Sequence, residues 1–120
     1  SEPSGARART VYELTAAGER ALGYWLGSDS GLAYELRDEG MLKLFFSDLA
    51  PETRLANVRA MHALYQGKLD QLSALQANSA GMPSGPRLTL EIGLGITSWL
   101  VEWCETTEQR LADGGVTDAR

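Results

Sequence analysis

The sequence predicts a mainly α-helical fold, in which a short N-terminal strand is followed by four helices. Two stretches carry this prediction, because apolar residues recur every three or four positions from Glu52 to Ala77 and again from Pro86 to Leu111. That period is typical of amphipathic helices. The segment 78–85, which is rich in Gly, Ser and Pro, predicts a reversal between them. The last two helices are therefore expected to form a long antiparallel hairpin that packs in a homodimer.

The composition limits the classes of function. The 120 residues include 43% apolar residues, enough for one modest domain with a core. The net charge of −5 argues against a nucleic-acid-binding surface spread over the whole chain. Cys104 is the only cysteine, so an intrachain disulfide is excluded and a cytoplasmic setting is expected. The apolar run 92–101 is much shorter than the ~18–20 residues that span a bilayer, so no membrane partner is expected.

The N-terminal third contains one predicted strand and one predicted helix. Residues 1–8 are small, polar or basic and are expected to form a flexible leader. The β-formers of residues 9–14 predict a short strand, which needs a partner strand to be stable. Thr15 is a suitable N-cap for a helix that runs to about Leu26. The Gly- and Ser-rich residues 27–31 then predict a loop.

Three helices are predicted in the rest of the chain. The first covers 36–49. It does not continue into Ala50, because the residue before Pro51 is pushed out of the helical region. The second covers 52–77, with Pro51 at its first position and a seam that includes Tyr65 and Leu69. The third covers 86–111. The predicted C-terminal domain is 36–113, and residues 114–120 are expected to fray.

The last predicted helix has more apolar surface than one neighbouring helix can cover. One stripe contains Leu88, Ile92, Ile96, Trp99, Leu100 and Trp103, and a second contains Leu90, Leu94, Val101 and Cys104. Gly93 and Gly95 each lower helix stability by roughly 1 kcal/mol relative to alanine, which suggests that another backbone passes close. We therefore expect a second copy of the chain to cover this helix. The predicted dimer interface contains Leu88, Ile92, Ile96, Trp99, Trp103, Tyr65 and Leu69.

Several segments together resemble a known family. Residues 11–26 (VYELTAAGERALGYWL) resemble the end of the wing and the following helix of PadR-like transcriptional regulators. Residues 36–46 (LRDEGMLKLFF) look like the start of that family's C-terminal domain, and residues 85–95 (GPRLTLEIGLG) continue the pattern. The resemblance covers about residues 9–111. It implies a repressor-type homodimer, in which a winged helix binds DNA and the C-terminal helices join the subunits.

The resemblance also implies a domain order. Residues 9–27 correspond to the end of a winged-helix domain, whereas the helix-turn-helix that should precede the wing is absent from this chain. Two interpretations stay open: a fragment of a longer regulator, or a relative without the DNA reader. Arg7 and Arg9 would lie near the wing tip, where they could contact phosphates; the alternative is a solvated basic leader.

Two tryptophans are candidates for a ligand site. Trp99 and Trp103 lie four residues apart and so share a helix face. Some PadR-like relatives stack flat ligands on an aromatic residue at the dimer interface, which implies a small aromatic effector as an alternative function. Packing in a core or interface is the more common role of such residues.

The sequence contains no catalytic motif, and we expect no enzymatic activity, metal or cofactor. His62 lies on the apolar seam and is expected to be a hydrogen-bonded core residue. It has no second ligand at metal-binding spacing. A Cys104–His62 nucleophile and base is disfavoured, because Glu102 and Glu105 flank the cysteine and oppose formation of a thiolate.

Overall fold

Four α-helices account for most of the residues that the structure describes. The structure is a computed structural model, which describes residues 12–29 and 31–116 and the backbone of residues 3–4 and 7–8. The helices are α1 (Ala16–Leu26), α2 (Glu39–Phe45), α3 (Arg54–Ala77) and α4 (Ser84–Ala112). Two 3₁₀ turns, Ser47–Leu49 and Pro51–Thr53, connect α2 to α3. The chain divides into two units, Ser1–Leu36 and Arg37–Arg120.

The N-terminal unit contains α1 and a minimal hairpin. Strands β1 (Pro3–Ser4) and β2 (Arg7–Ala8) pair in antiparallel orientation. Thr15 is the N-cap of α1, because its Oγ1 accepts a hydrogen bond of 3.0 Å from the Gly18 N–H, as predicted. The predicted wing strand over 9–14 is not seen. Its residues 12–14 have no regular structure, and residues 9–11 lie outside the described part of the chain.

The short helix α2 is half as long as predicted. The sequence indicated a helix over 36–49, whereas α2 covers only Glu39–Phe45. Asp38 has an extended backbone, and its Oδ1 accepts from the Met41 N–H at 3.0 Å, so it caps the helix and sets its start. At the other end, Ala50 lies outside the helical region because Pro51 follows it, and the chain closes in 3₁₀ turns instead of α-helix.

The long antiparallel hairpin is confirmed. With 24 residues in α3 and 29 in α4, the helices extend about 36 Å and 43 Å. Helix α3 begins at Arg54, two residues later than predicted, because Pro51–Thr53 forms a 3₁₀ turn. The structure is that of one chain, so packing in a homodimer stays a prediction.

The core of the second unit lies between the N-terminal half of α3 and the C-terminal half of α4. Its buried side chains are Val58, Met61, Tyr65, Val101 and Cys104. Met41 and Leu44 of α2 pack against them, as do Leu69, Leu100, Trp103 and Leu111. Toward the loop that joins α3 to α4 the buried surface thins, and Leu90 is the one buried apolar residue that the structure describes there.

Candidate interaction face

Helix α4 presents two apolar faces with different surroundings. The face that packs on α3 contains the buried residues Leu90, Thr97, Val101 and Cys104. The other face contains Leu88, Ile92, Gly95, Ile96, Trp99 and Trp103, and we call it the α4 outer face. Leu88, Ile92, Ile96 and Trp99 are 62%, 64%, 58% and 60% exposed. A row of large apolar side chains this exposed is characteristic of an interaction surface.

The other predicted interface residues lie further inside. Trp103 is partly buried and, like Leu69, packs against the core. Tyr65 belongs to the core itself and is only 3% exposed. It therefore has almost no surface to offer a second chain. Its position on the apolar seam of α3 was correctly recognised, but this seam faces the inside of the same subunit.

The two tryptophans of α4 lie side by side. Their ring centroids are 6.5 Å apart and the ring planes differ by 22°. Trp99 is exposed and Trp103 partly buried, so the outer indole has a face that is open to solvent. The pair thus extends the apolar core of one subunit out onto its surface.

Gly93 and Gly95 of α4 differ in surroundings. A Cβ on Gly93 would lie 3.4 Å from Cδ1 of Leu72, so this glycine faces α3 at ordinary contact distance. A Cβ on Gly95 would meet no atom of the described chain within 4 Å. The prediction of a close neighbour thus finds an intrachain explanation at Gly93, whereas Gly95 leaves a shallow gap in the middle of the α4 outer face.

A set of polar and steric contacts holds α2 on α3. The Tyr65 hydroxyl donates to Asp38 Oδ2 at 2.5 Å, and Asn57 Nδ2 donates to the Gly40 carbonyl at 3.0 Å. A Cβ on Gly40 would lie 2.5 Å from Cγ of Met61, so any larger residue there would force Met61 or α2 to move. Burial and then the hydrogen bond to Asp38 raise the pKa of Tyr65, which keeps its hydroxyl protonated as a donor.

The surroundings of His62 and Cys104 fit structural roles. His62 Nδ1 lies 3.0 Å from Glu108 Oε1 and its Nε2 3.6 Å from Glu105 Oε1, so the ring links α3 to α4. The expected hydrogen bonding is present, but the side chain is partly buried and does not belong to the core. Cys104 is fully buried. Burial first, and then Glu108, Asp38 and Glu105, raise the pKa of its thiol to about 11. A thiol with this pKa is a poor nucleophile near neutral pH.

The predicted DNA contacts of Arg7 and Arg9 stay a prediction. Arg7 lies in β2, but its side chain and all of Arg9 fall outside the described residues. A cleft of about 610 Å³ lies at the turn end of the hairpin, lined in part by Gln76, Arg87 and Leu94; neither α4 tryptophan lines it. Among the described residues, no cluster of His, Cys, Asp or Glu could hold a metal ion. None of the described helices is both long and apolar enough to cross a membrane.

An exposed apolar face on a helical module is characteristic of a domain that binds another surface. Comparison with family models defines it further: residues 36–112 match the family described as "Virulence activator alpha C-term", and the chain belongs to this family. These residues form the C-terminal regulatory domain of a transcriptional activator. The assignment to PadR-like regulators was therefore wrong, whereas the repressor type stays a prediction. Searches of curated proteins and of solved structures gave no match.

Proposed function

We propose that this chain dimerises a DNA-binding transcriptional regulator by burying the α4 outer face against a second copy of itself. The single observation that carries the proposal is the row of four large apolar side chains, each about 60% exposed, on a helix whose opposite face is already buried. Its net charge of −5 favours contact with DNA through another part of the regulator. The dimer would set the distance between two DNA-binding heads, which must match half-sites about one DNA turn apart.

The exposed apolar surface is large enough to matter for association. Burial of a large aliphatic or aromatic side chain contributes about 1.5–3 kcal/mol, so the exposed parts of these four residues on two copies contribute roughly 10 kcal/mol. Loss of translational and rotational freedom costs an estimated 4–15 kcal/mol. The two terms are similar in size, so removing one central side chain should separate the subunits.

The test is the mass of the particle in solution. Wild type should elute as a dimer of the 13.0 kDa chain in light scattering after size exclusion at micromolar concentration. Ile92→Asp should give a monomer with unchanged helix content by circular dichroism. Leu64→Asp is the matched control: Leu64 is 54% exposed but lies on α3, and this variant should stay dimeric. A wild-type monomer, or dimers of both variants, would contradict the proposal.

The stacked tryptophans favour a second candidate function, the binding of a flat aromatic effector at the dimer interface. Trp99 offers an open indole face beside Trp103, and aromatic rings stack well on such a surface. A flat aromatic dye should quench tryptophan fluorescence at micromolar concentration. Trp99→Leu should abolish the response, and Trp25→Leu, which removes an exposed tryptophan of α1, should retain it. Equal quenching in both variants would exclude this site.

The proposed role is not catalytic. Its support is the state of the two residues that could have formed a nucleophile and base: Cys104 is buried with a raised pKa, and His62 is engaged by two carboxylates. Replacing Cys104 by alanine should therefore leave the mass of the dimer unchanged. A monomeric Cys104→Ala variant that still folds would show that the residue is more than core packing.

A further inference from the structure

We propose that the cleft at the turn end of the hairpin binds a short apolar peptide with free termini, with its carboxylate at Arg87 and its ammonium group at Glu91. The cleft is formed by α3, α4 and the loop between them in one chain, so the inference goes beyond the proposed dimer and does not depend on it. Three features support it: the apolar part of the cleft, two opposite charges on its wall, and uncharged polar side chains between α3 and α4.

The cleft has the size and lining of a small-molecule site. It lies beside the last turn of α3 and the first turns of α4, and its volume of about 610 Å³ is within the 300–1,000 Å³ usual for ligand pockets. Leu90 and Leu94 supply apolar surface; Leu90 is buried and Leu94 half-buried. Leu88 lines the cleft and also belongs to the α4 outer face, so a bound peptide would lie next to the proposed dimer interface. A ligand of this cleft therefore needs an apolar body.

Arg87 and Glu91 give the cleft one positive and one negative group. They lie one turn apart on α4, with their Cβ atoms about 5–6 Å from each other. Both are exposed, and within the described part of the chain neither forms an ion pair. Arg87 Nη2 instead donates to the Met82 carbonyl at 3.1 Å, which holds the guanidinium at the turn. An arginine on the N-terminal side of a glutamate is the weaker order for a pair along a helix, so both charges are available to a ligand.

A zwitterion whose charges are separated by about one helical turn matches this pair. An extended dipeptide spans at most about 7 Å, and its apolar side chains lie between the charged ends. Bonds between its termini and the two side chains are charge-assisted and therefore stronger than neutral ones. An amphipathic anion or cation would leave one of the two protein charges unmatched. A free amino acid has both charges on one Cα atom and spans the two side chains less well.

Two uncharged side chains suit the peptide group between the termini. Gln76 of α3 and Ser84 of α4 line the cleft, and their side chains make no hydrogen bond with the described residues. The Ser79 hydroxyl, in contrast, already donates to the Gln76 carbonyl at 2.8 Å. An amide that leaves water needs new partners, and the amide of Gln76 and the hydroxyl of Ser84 can each donate and accept. The cleft thus offers a partner to each part of a dipeptide.

Isothermal titration calorimetry of the whole chain with leucyl-leucine tests the site. A Kd of about 0.1–1 mM is expected for a ligand of ~17 non-hydrogen atoms. N-acetyl-leucyl-leucine lacks the ammonium group and leucyl-leucine amide lacks the carboxylate, and each should bind about five-fold more weakly. Free leucine should bind more weakly than the dipeptide, because it has less apolar surface and its charges are closer together.

Protein variants assign the two charges. Glu91→Gln and Arg87→Gln should each weaken the binding of leucyl-leucine about five-fold. Glu102→Gln and Arg59→Gln are the matched controls: they remove the same charges at exposed positions outside the cleft and should leave the Kd unchanged. Glu91→Gln should not weaken N-acetyl-leucyl-leucine further, because that peptide has no ammonium group to lose. Circular dichroism checks that every variant keeps its helix content.

The outcomes are distinct from those of the dimer experiment. No binding of leucyl-leucine at millimolar concentration would overturn the inference. Equal binding of the dipeptide and both capped forms would also overturn it, as would a Kd that Glu91→Gln and Arg87→Gln leave unchanged. None of these results affects the proposed dimerising role, because the cleft belongs to a single chain. A wild-type monomer that binds the dipeptide as expected would overturn the dimer alone.

Discussion

The substitution Gly40→Ala tests the contact that holds α2 on α3. Gly40 lies in the first turn of α2, and the added methyl group would sit 2.5 Å from Met61 Cγ and 3.2 Å from its sulfur. Carbon atoms in contact normally stay about 3.5–4.0 Å apart, so the methionine or the helix must move by about 1 Å. Met61 is only 4% exposed and cannot swing into solvent. The bond from Asn57 Nδ2 to the Gly40 carbonyl resists a shift of α2.

The expected loss follows from two opposing terms. Overpacking a closed core costs about 1–3 kcal/mol. Replacing a helical glycine by alanine gains at most about 1 kcal/mol, and less near a helix end. Gly40→Ala should therefore lower the free energy of unfolding by about 1–2 kcal/mol. Gly67→Ala is the matched control in the middle of α3, where an added Cβ meets no described atom within 4 Å; it should gain about 1 kcal/mol.

Urea and thermal unfolding, followed by circular dichroism, measure the difference. All variants should be compared at one protein concentration, because association stabilises the folded state by mass action. Since 1 kcal/mol shifts the Tm of a domain this size by about 4–8 °C, the two variants should lie at least 8 °C apart. If Gly40→Ala proves as stable as Gly67→Ala, then α2 is not held tightly on α3 and this account of the domain is wrong.

Three further predictions concern side-chain contacts of the core, and urea unfolding checks each. Tyr65→Phe removes the donor to Asp38 and should cost about 1–3 kcal/mol; no loss would show that the bond contributes nothing. The Cys104 thiol has a pKa of about 11 in the fold against an ordinary 9.0, so its contribution is complete below pH 9 and is lost between pH 9 and 11, by up to about 1.4 kcal/mol per pH unit. Cys104→Ala should lose less stability over that range, and an unchanged slope would refute the assignment. Arg54→Ala leaves the buried Ser47 hydroxyl without the 2.7 Å bond from the Arg54 Nε and should cost about 1–3 kcal/mol, whereas a neutral result would mean that water replaces the guanidinium.

The long elements were predictable because many residues repeat the same signal. Over 24 and 29 residues, α3 and α4 place apolar side chains at a helical period, and a few exceptions do not hide it. The two stripes on α4 were also readable: most of the second is buried, and most of the first is exposed apart from Leu100 and Trp103, which pack against the core. The sequence could not show which stripe meets α3, because the pattern of one helix contains no information about the direction of its neighbour.

The short elements were harder because their signals conflict. Residues 9–14 have β-forming side chains, but a strand exists only with a partner, and propensity cannot supply one. Residues 36–49 have enough apolar residues for a longer helix, yet Asp38 and Pro51 constrain the backbone at either end. Local hydrogen bonding from Asp38 and the ring of Pro51 outweighed the apolar pattern.

The hydrogen bonds between distant segments could not be predicted from the sequence, for a different reason. Tyr65 meets Asp38 across 27 positions, and His62 meets Glu108 across 46. Each residue looks ordinary on its own helix: an aromatic on an apolar seam, a cap before a helix, a carboxylate near a helix end. A partial signal existed, since Glu105 and Glu108 lie three apart and so face one direction, but only the register of the hairpin selects His62 as their partner.

The same register explains why the α4 outer face stays open in the part of the chain that the structure describes. The His62–Glu108 bond and the Val58–Cys104 layer fix the rotation of α4 relative to α3, so Leu90 and Val101 point inward and Ile92 and Trp99 must point out. Rotating α4 to cover the outer residues would break the polar link and expose a fully buried cysteine. A rotation of α4 thus buries one apolar stripe and exposes the other, without reducing the exposed apolar area. A further apolar surface would lower the exposed apolar area, and the proposed second copy of the chain would present one of the same length and shape.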